Sequence, residues 1–457
     1  MSSAAVTDHQ PRVVIIGAGL AGSLAAVYFA RRGCAVDVYE RRADPRLYPA
    51  GINARSINLG LSARGMRALA GVGLLADVLK RSVPMRGRVV HSPSGEVTFQ
   101  PYGVQADQIL HSVLRDDLVA FLVDAAATRP AVRFHFGWRM EQLDRDKPAV
   151  TVVSVEDGRS VEVTADLVVG ADGAFSTVRA QMQHGLRANH SQEFLEWGYK
   201  ELNLPVGPDG QPQVRLEALH IWPGEQAMII AHPNVDGSLT CSLFMPWEGE
   251  PSFAALASAP AIEEFLDANF PDVRTLMPDV VEQIMSHPTG HLVTVRTSHW
   301  HHADRVVLLG DACHGVYPFY GQGMNSAFED CLVLDQCLDR HPARADALAA
   351  YQAARKPHTD VLADLSARNF VELRDRVHQA GYAARAAADR VLTRLFPRRW
   401  IPLYTMIAHT TTPYADALAR AKRQDRILHA AAASALAVGA SAAYLFMRTA
   451  NRALRRR

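Results

Sequence analysis

The residues best suited to chemistry in this 457-residue chain gather in three glycine-bearing turns. The first is Gly17-Ala18-Gly19-Leu20-Ala21-Gly22, behind the apolar run Val13–Ile16 and ahead of a helical stretch ending near Gly33. A second strand-like run, Ala35–Tyr39, closes on Glu40. Gly17 permits a tight turn, Gly19 lets backbone approach a pyrophosphate, and Gly22 allows close helix–strand packing. The helix N-terminus adds unpaired N–H groups and partial positive charge. Glu40 is placed to accept hydrogen bonds from an adenosine ribose, and its charge repels a 2′-phosphate, so this loop is not expected to hold NADP.

The second turn follows the strand-like run Leu167–Val169 and reads Asp172-Gly173, with a helix start at Ser176-Thr177. The third ends Val306–Leu309 on Gly310-Asp311. Behind it come Phe319, Tyr320, Gly321-Gln322-Gly323 and a helical pattern with Ala327, Phe328, Cys331 and Leu332 on one face. Such a loop brings bare backbone close to a ligand. The first motif alone does not separate NAD from FAD. Two later strands that also end in Gly/Asp turns are more nucleotide-contact machinery than a simple NAD dehydrogenase needs.

To hold three such turns together, the chain must build a parallel sheet flanked by helices. The predicted class is α/β: a discontinuous Rossmann-like dinucleotide domain over 11–75, 104–185 and 290–375. Alternating text such as "QVRLEALHIWP" and "AMIIAHP" predicts a second, antiparallel-sheet domain over 76–103 and 186–289, with the 80–103 hairpin joining it. From 376 to 457 the chain is rich in Ala and Arg and reads as helical. With 48% hydrophobic residues the chain supports two or three cores, and a formal charge of +1 argues against nucleic acid as a partner. Five scattered cysteines without a CxxC pair, and an N-terminus without an apolar stretch, fit a reducing, cytoplasmic setting. Cys331 and Cys337 read as helix core rather than metal ligands.

The three turns in this order resemble the group A flavoprotein aromatic hydroxylases. Further blocks narrow the likeness: "GINARSINLGLSARGMRAL" (51–69), "VPMRGRVVHSPSGEVTFQPYG" (83–103), "YPFYGQGMNSAFEDC" (317–331), "SARNFVEL" (366–373) and "IPLYTMIAHTTTPYADA" (401–417). Together they resemble the kynurenine-hydroxylating family, from about residue 12 to 420. The resemblance implies bound FAD, NADPH and O2 as co-substrates, a flavin C4a-hydroperoxide, and conversion of L-kynurenine to 3-hydroxy-L-kynurenine in tryptophan degradation and NAD biosynthesis.

On that resemblance, cofactor contacts fall to Gly17, Gly19, Gly22, Glu40, Arg41, Arg115, Asp172, Thr177, Asp311, Gly323, Met324 and Asn325. Arg115 partners a pyrophosphate oxygen and Asp311 flavin-side hydroxyls. The Gly321–Asn325 backbone lies against the isoalloxazine, where a helix N-terminus stabilises charge on the reduced ring. Arg88 clamps the substrate carboxylate, a role its planar fork suits, with Tyr102, Asn369 and Tyr404. Glu372, one helical turn from Asn369, shares its face and helps order the head group. Phe319 and Tyr320 line the pocket. The aniline already activates the ring, so no acid or base residue is assigned.

Two other readings stay open: a flavin hydroxylase of another aromatic acid, and a membrane-tethered flavin-binding protein without turnover. The second rests on residues 430–447, uncharged, alanine-rich and flanked by arginines. Both a spanning anchor and a helix packed on, or lying along, a surface are compatible with that text. His299, His301 and His302 have no partner ligands at metal spacing and read as a solvated turn.

Overall fold

The structure, a computed structural model, describes residues 10–48, 57–105, 107–375 and 380–454. Residues 51–56 of the family-like block at 51–69 lie outside these.

Short apolar runs bounded by glycine turns are stable in a sheet covered on both faces. Six strands form that sheet, in the order His301–His302, Val306–Leu308, Leu167–Gly170, Arg12–Ile16, Ala35–Glu40, Val132–Phe136. All neighbours are parallel except the His301–His302 edge. Ile16 pairs with both Gly170 and Tyr39, and Gly170 with Leu308, so the three glycine turns emerge at one carboxyl edge. In doubly wound sheets that edge is where ligands bind. Helices Leu20–Arg31 and Gly323–Arg340 join the strands in a core that includes Ile15, Leu24, Val38, Val169, Leu308 and Phe328.

A seven-stranded sheet runs Gly290–Thr297, His190–Leu204, Leu239–Pro246, Ala227–Pro233, Leu219–Gly224, Gly87–His91, Val97–Pro101. It is antiparallel except where Leu219–Gly224 meets Gly87–His91. Helices around Ile262, Leu266 and Val280 cover one face with Trp222, Ile229 and Leu243. The other face looks into a cavity.

Three expectations change. Residues 290–297, read as part of the dinucleotide domain, form the strand Gly290–Thr297, which pairs antiparallel with His190–Leu204, so that segment belongs to the seven-stranded sheet. Val83–Met85, read with the second domain, pairs with Leu110–Leu114, which also holds Asn58–Leu61. The predicted strand through 213–218 begins only at Leu219; Glu217 O instead accepts from Arg86 N, just ahead of the paired strands. The histidine cluster also differs: His301 and His302 are half-buried edge-strand residues, with His302 Nε2 3.0 Å from Asp146 Oδ1, rather than a solvated turn.

Helices Arg344–Asp375, Ala380–Leu395, Leu403–His409 and Tyr414–Leu454 follow. The last includes 430–447. No helix among the described residues is long and apolar enough to cross a membrane, so the spanning anchor finds no support there.

Candidate active site

Between the two sheets lies a cavity of about 940 Å³. At one end it is lined by Gly19, Leu20, Arg115, Asp311 and the Gly321–Met324 loop; at the other by Arg88, Tyr102, Asn369, Phe319, Tyr320 and Tyr404.

The first glycine turn behaves as its sequence requires. Gly17 has φ +101°, and a Cβ there would sit 2.5 Å from Ala171 O. A Cβ on Gly22 would lie 1.9 Å from Gly17 O, so helix and strand touch through bare backbone. Nothing lies within 4 Å of a Cβ on Gly19, which faces the cavity. That open cradle, beside Arg115 and Asp311, fits the pyrophosphate and hydroxyls of FAD. Burial raises the pKa of the Asp311 carboxyl, opposed by His314 and Arg115, although the residue itself opens onto the cavity.

Several expected cofactor residues turn their side chains elsewhere. Glu40 accepts from Ala18 N at 2.9 Å and Arg42 N at 3.0 Å, closing the glycine loop on itself. Asp172 accepts from the Ser176 hydroxyl at 2.5 Å, Thr177 N at 2.7 Å and Val178 N at 3.1 Å, capping the helix Thr177–Gln183. Arg41 and Thr177 are exposed. Among these, none lines the cavity.

Asn325 is buried. Its Oδ1 accepts from Ser62 N at 2.8 Å, and its Nδ2 donates to Gly60 O at 2.8 Å and Gly321 O at 2.9 Å. It thus staples the glycine loop to the strand Asn58–Leu61. Gly321, at φ +63°, turns the chain so that the helix Gly323–Arg340 starts at the cavity wall. The first N–H groups of an α-helix lack intrahelical partners and carry partial positive charge. Beneath, Asp330 accepts from Gly310 N at 3.0 Å, His314 Nε2 at 2.5 Å and Arg355 Nε at 2.8 Å. Cys313, His314 and Asp330 have metal-like proximity, but these three bonds already engage both Asp330 oxygens.

At the far end Arg88 lies 4.4 Å from the Tyr404 ring centroid and 5.6 Å from that of Tyr102. The two rings stack at 6.0 Å, and Tyr320 stacks on Tyr404 at 6.2 Å. Burial raises the pKa of the Tyr102 hydroxyl, so it remains a neutral donor. Asn369 Nδ2 donates to Phe319 O at 2.7 Å, tying the long helix Arg344–Asp375 to the turn at Pro318–Tyr320. The Glu372 side chain lies outside the described residues.

Two histidines escaped the sequence reading. His409 packs 5.5 Å from Tyr102 and 6.2 Å from Tyr404, behind the clamp. His232 lines the cavity itself. Burial lowers the pKa of each to about 4, with the Arg88 charge adding to the effect at His409. The signal for His232 was in the strand text: in "AMIIAHP" it follows Ile230 by two and so shares its face.

A family described as "FAD binding domain" matches residues 10–366. A kynurenine 3-monooxygenase of Salinispora arenicola is 67% identical over 97% of this chain and 98% of its own. One from Myxococcus xanthus is 42% identical over 88% of this chain and 86% of its own. Among solved structures, a tetrameric 2-methyl-3-hydroxypyridine-5-carboxylic acid oxygenase superposes with TM-score 0.66 at 23% identity, covering 81% of this chain and 94% of its own. P. aeruginosa PqsL in complex with 2-aminobenzoylacetate gives 0.65 at 24%, covering 80% and 98%. These two structures speak to the fold.

Proposed function

This chain belongs to the kynurenine 3-monooxygenase family of FAD-binding enzymes, and from that premise we infer how its own residues serve the reaction. The enzyme hydroxylates L-kynurenine at ring position 3, using FAD as bound cofactor and NADPH and O2 as co-substrates. The observation that carries the reading is one cavity joining an arginine–tyrosine clamp to a glycine loop at a helix start. An amino-acid head bound at one end directs its aromatic ring toward the other.

Arg88 takes the carboxylate, with Tyr102 and Tyr404 packed around its guanidinium. Gly19 leaves room for the pyrophosphate, Arg115 offsets its charge, and Asp311 accepts from hydroxyls of the cofactor chain. Gly323 and Met324 present backbone N–H groups to the flavin ring, on a loop whose shape Asn325 maintains. Glu40 and Asp172 support from behind, shaping their turns. When bound, FAD supplies hydride acceptance from NADPH and activation of O2. Phe319 and Phe244, 5.5 Å apart, keep the intervening space apolar. No protein base is needed to make the aniline ring a nucleophile.

Aerobic NADPH consumption by the FAD-loaded protein, with and without L-kynurenine and with products separated, tests the function. Kynurenine-dependent consumption matched by 3-hydroxykynurenine is expected. Stimulated consumption giving only hydrogen peroxide would make kynurenine an effector, and no stimulation would defeat the assignment.

A further inference from the structure

Most of the cavity face of the seven-stranded sheet is apolar: Leu219, Ile221, Ile230 and Phe244 all line it. His232 interrupts that surface. The strand register sets its place. Leu219 pairs with Arg88, and His220 with Ala231, so His232 falls opposite Leu219, two strands from Arg88. With strands about 4.8 Å apart, the two Cα atoms stand roughly 10 Å from each other. On one side Leu219 packs with Tyr102 and Tyr404. On the other, Ile230 packs with the cluster of Phe244 and Phe319. His232 therefore sits between the head-group clamp and the ring end of the cavity.

The His232 ring has no hydrogen bond to another side chain or backbone group among the described residues. Half-buried and opening onto the cavity, it is neutral near pH 7, so it offers one N–H donor and one acceptor. Between its amino-acid head and its ring, kynurenine carries an aryl ketone. The ketone carbon is three bonds, roughly 4 Å, from the carboxylate carbon. A carbonyl enclosed in an apolar cavity without a donor costs about 1–3 kcal/mol.

We propose that His232 is a specificity-determining residue whose imidazole N–H donates to the ketone oxygen of the bound substrate. The proposal rests on the kynurenine reading above. It makes the site selective for an aryl-ketone amino acid over the same molecule with a methylene in place of the carbonyl.

The test is a ligand-truncation cycle on the FAD-loaded enzyme, following the flavin spectrum without NADPH. The ligands are L-kynurenine and 2-amino-4-(2-aminophenyl)butanoate, which lacks the ketone. His232→Leu should weaken kynurenine roughly tenfold and leave the ketone-free analogue nearly unchanged. His232→Gln, which keeps an N–H donor, should recover most of the loss. Arg88→Ala should weaken both ligands alike. Equal loss of both ligands in His232→Leu, or loss of neither, would overturn the proposal while leaving the kynurenine reading intact. If the unmodified enzyme bound no kynurenine, both would fall together.

Discussion

The Arg88 guanidinium lies 4.4 Å from the centre of the Tyr404 ring, with Tyr102 on a second side. An arginine held between aromatic faces keeps its fork in one orientation, and that reduces the ordering cost of binding a carboxylate. Arg88→Ala should raise KM for L-kynurenine about 10- to 100-fold. The flavin spectrum and FAD content should not change. An unaltered KM would remove Arg88 from the clamp.

The glycine turn separates folding from cofactor binding. Gly22→Ala forces a Cβ to within 1.9 Å of Gly17 O, a backbone atom that cannot swing aside. It should yield little folded protein. Gly19→Ala meets nothing within 4 Å of the protein itself. That variant should keep the cooperative unfolding of the apoprotein yet bind FAD more weakly, as read by titration of the apoprotein with FAD. Equal damage in both variants would argue that Gly19 is structural.

Asn325 makes three hydrogen bonds that join the glycine loop to the end of the strand Asn58–Leu61. Asn325→Ala leaves a buried N–H and two carbonyls without that partner. A loss of about 2–4 kcal/mol is expected by denaturant titration, with faster FAD release. Normal stability with normal FAD retention would contradict the stapling role.

His220, His232 and His409 are held neutral by burial, each with a pKa near 4 against an ordinary 6.5. Below pH 6.5 the unfolded chain takes up protons that the folded chain does not, so stability falls as pH drops from about 6.5 to about 4. Each group contributes on the order of 3 kcal/mol over that window. Unfolding free energies at pH 7.5 and 5 should differ in this direction, and His409→Gln should reduce the slope. A slope of opposite sign would mean these imidazoles are charged in the fold.

Helix Tyr414–Leu454 holds the body through Tyr414, Ala417 and Ala421, whereas Ile427 is 56% exposed. Ending the chain after residue 427 should leave FAD loading intact. Loss of FAD would show that the far turns of the helix support the flavin site.

Strands and turns were readable because apolar runs and glycines act locally. Gly17, Gly22 and the Ser176-Thr177 helix start follow from a few neighbouring residues. Tasks assigned to single acids were less readable. A carboxylate after a strand can bind a ribose or cap a turn, and only three-dimensional placement shows Asp172 turned toward its own helix. The strand Gly290–Thr297 was assigned to the wrong sheet because its alternation identifies a strand without naming its partner. His232 was missed for a related reason: its face is legible from Ile230, but what that face looks onto depends on packing far away in sequence.

Arg64 is fully buried, with its guanidinium 3.1 Å from Glu329, 3.9 Å from the Tyr414 ring centroid, and bonded to Thr412 O. Arg355 joins the same Glu329 and Asp330. The consequence concerns the order of synthesis. On the ribosome, Arg64 emerges long before Thr412 and Tyr414, and until they arrive it has no carbonyl and no ring to offset its desolvation. The ion pairs of Glu329 and Asp330 can form once Arg355 has been made, but the surroundings of Arg64 are complete only after Thr412 and Tyr414 follow. A product ending before Thr412 would therefore carry a buried arginine without its carbonyl and aromatic partners.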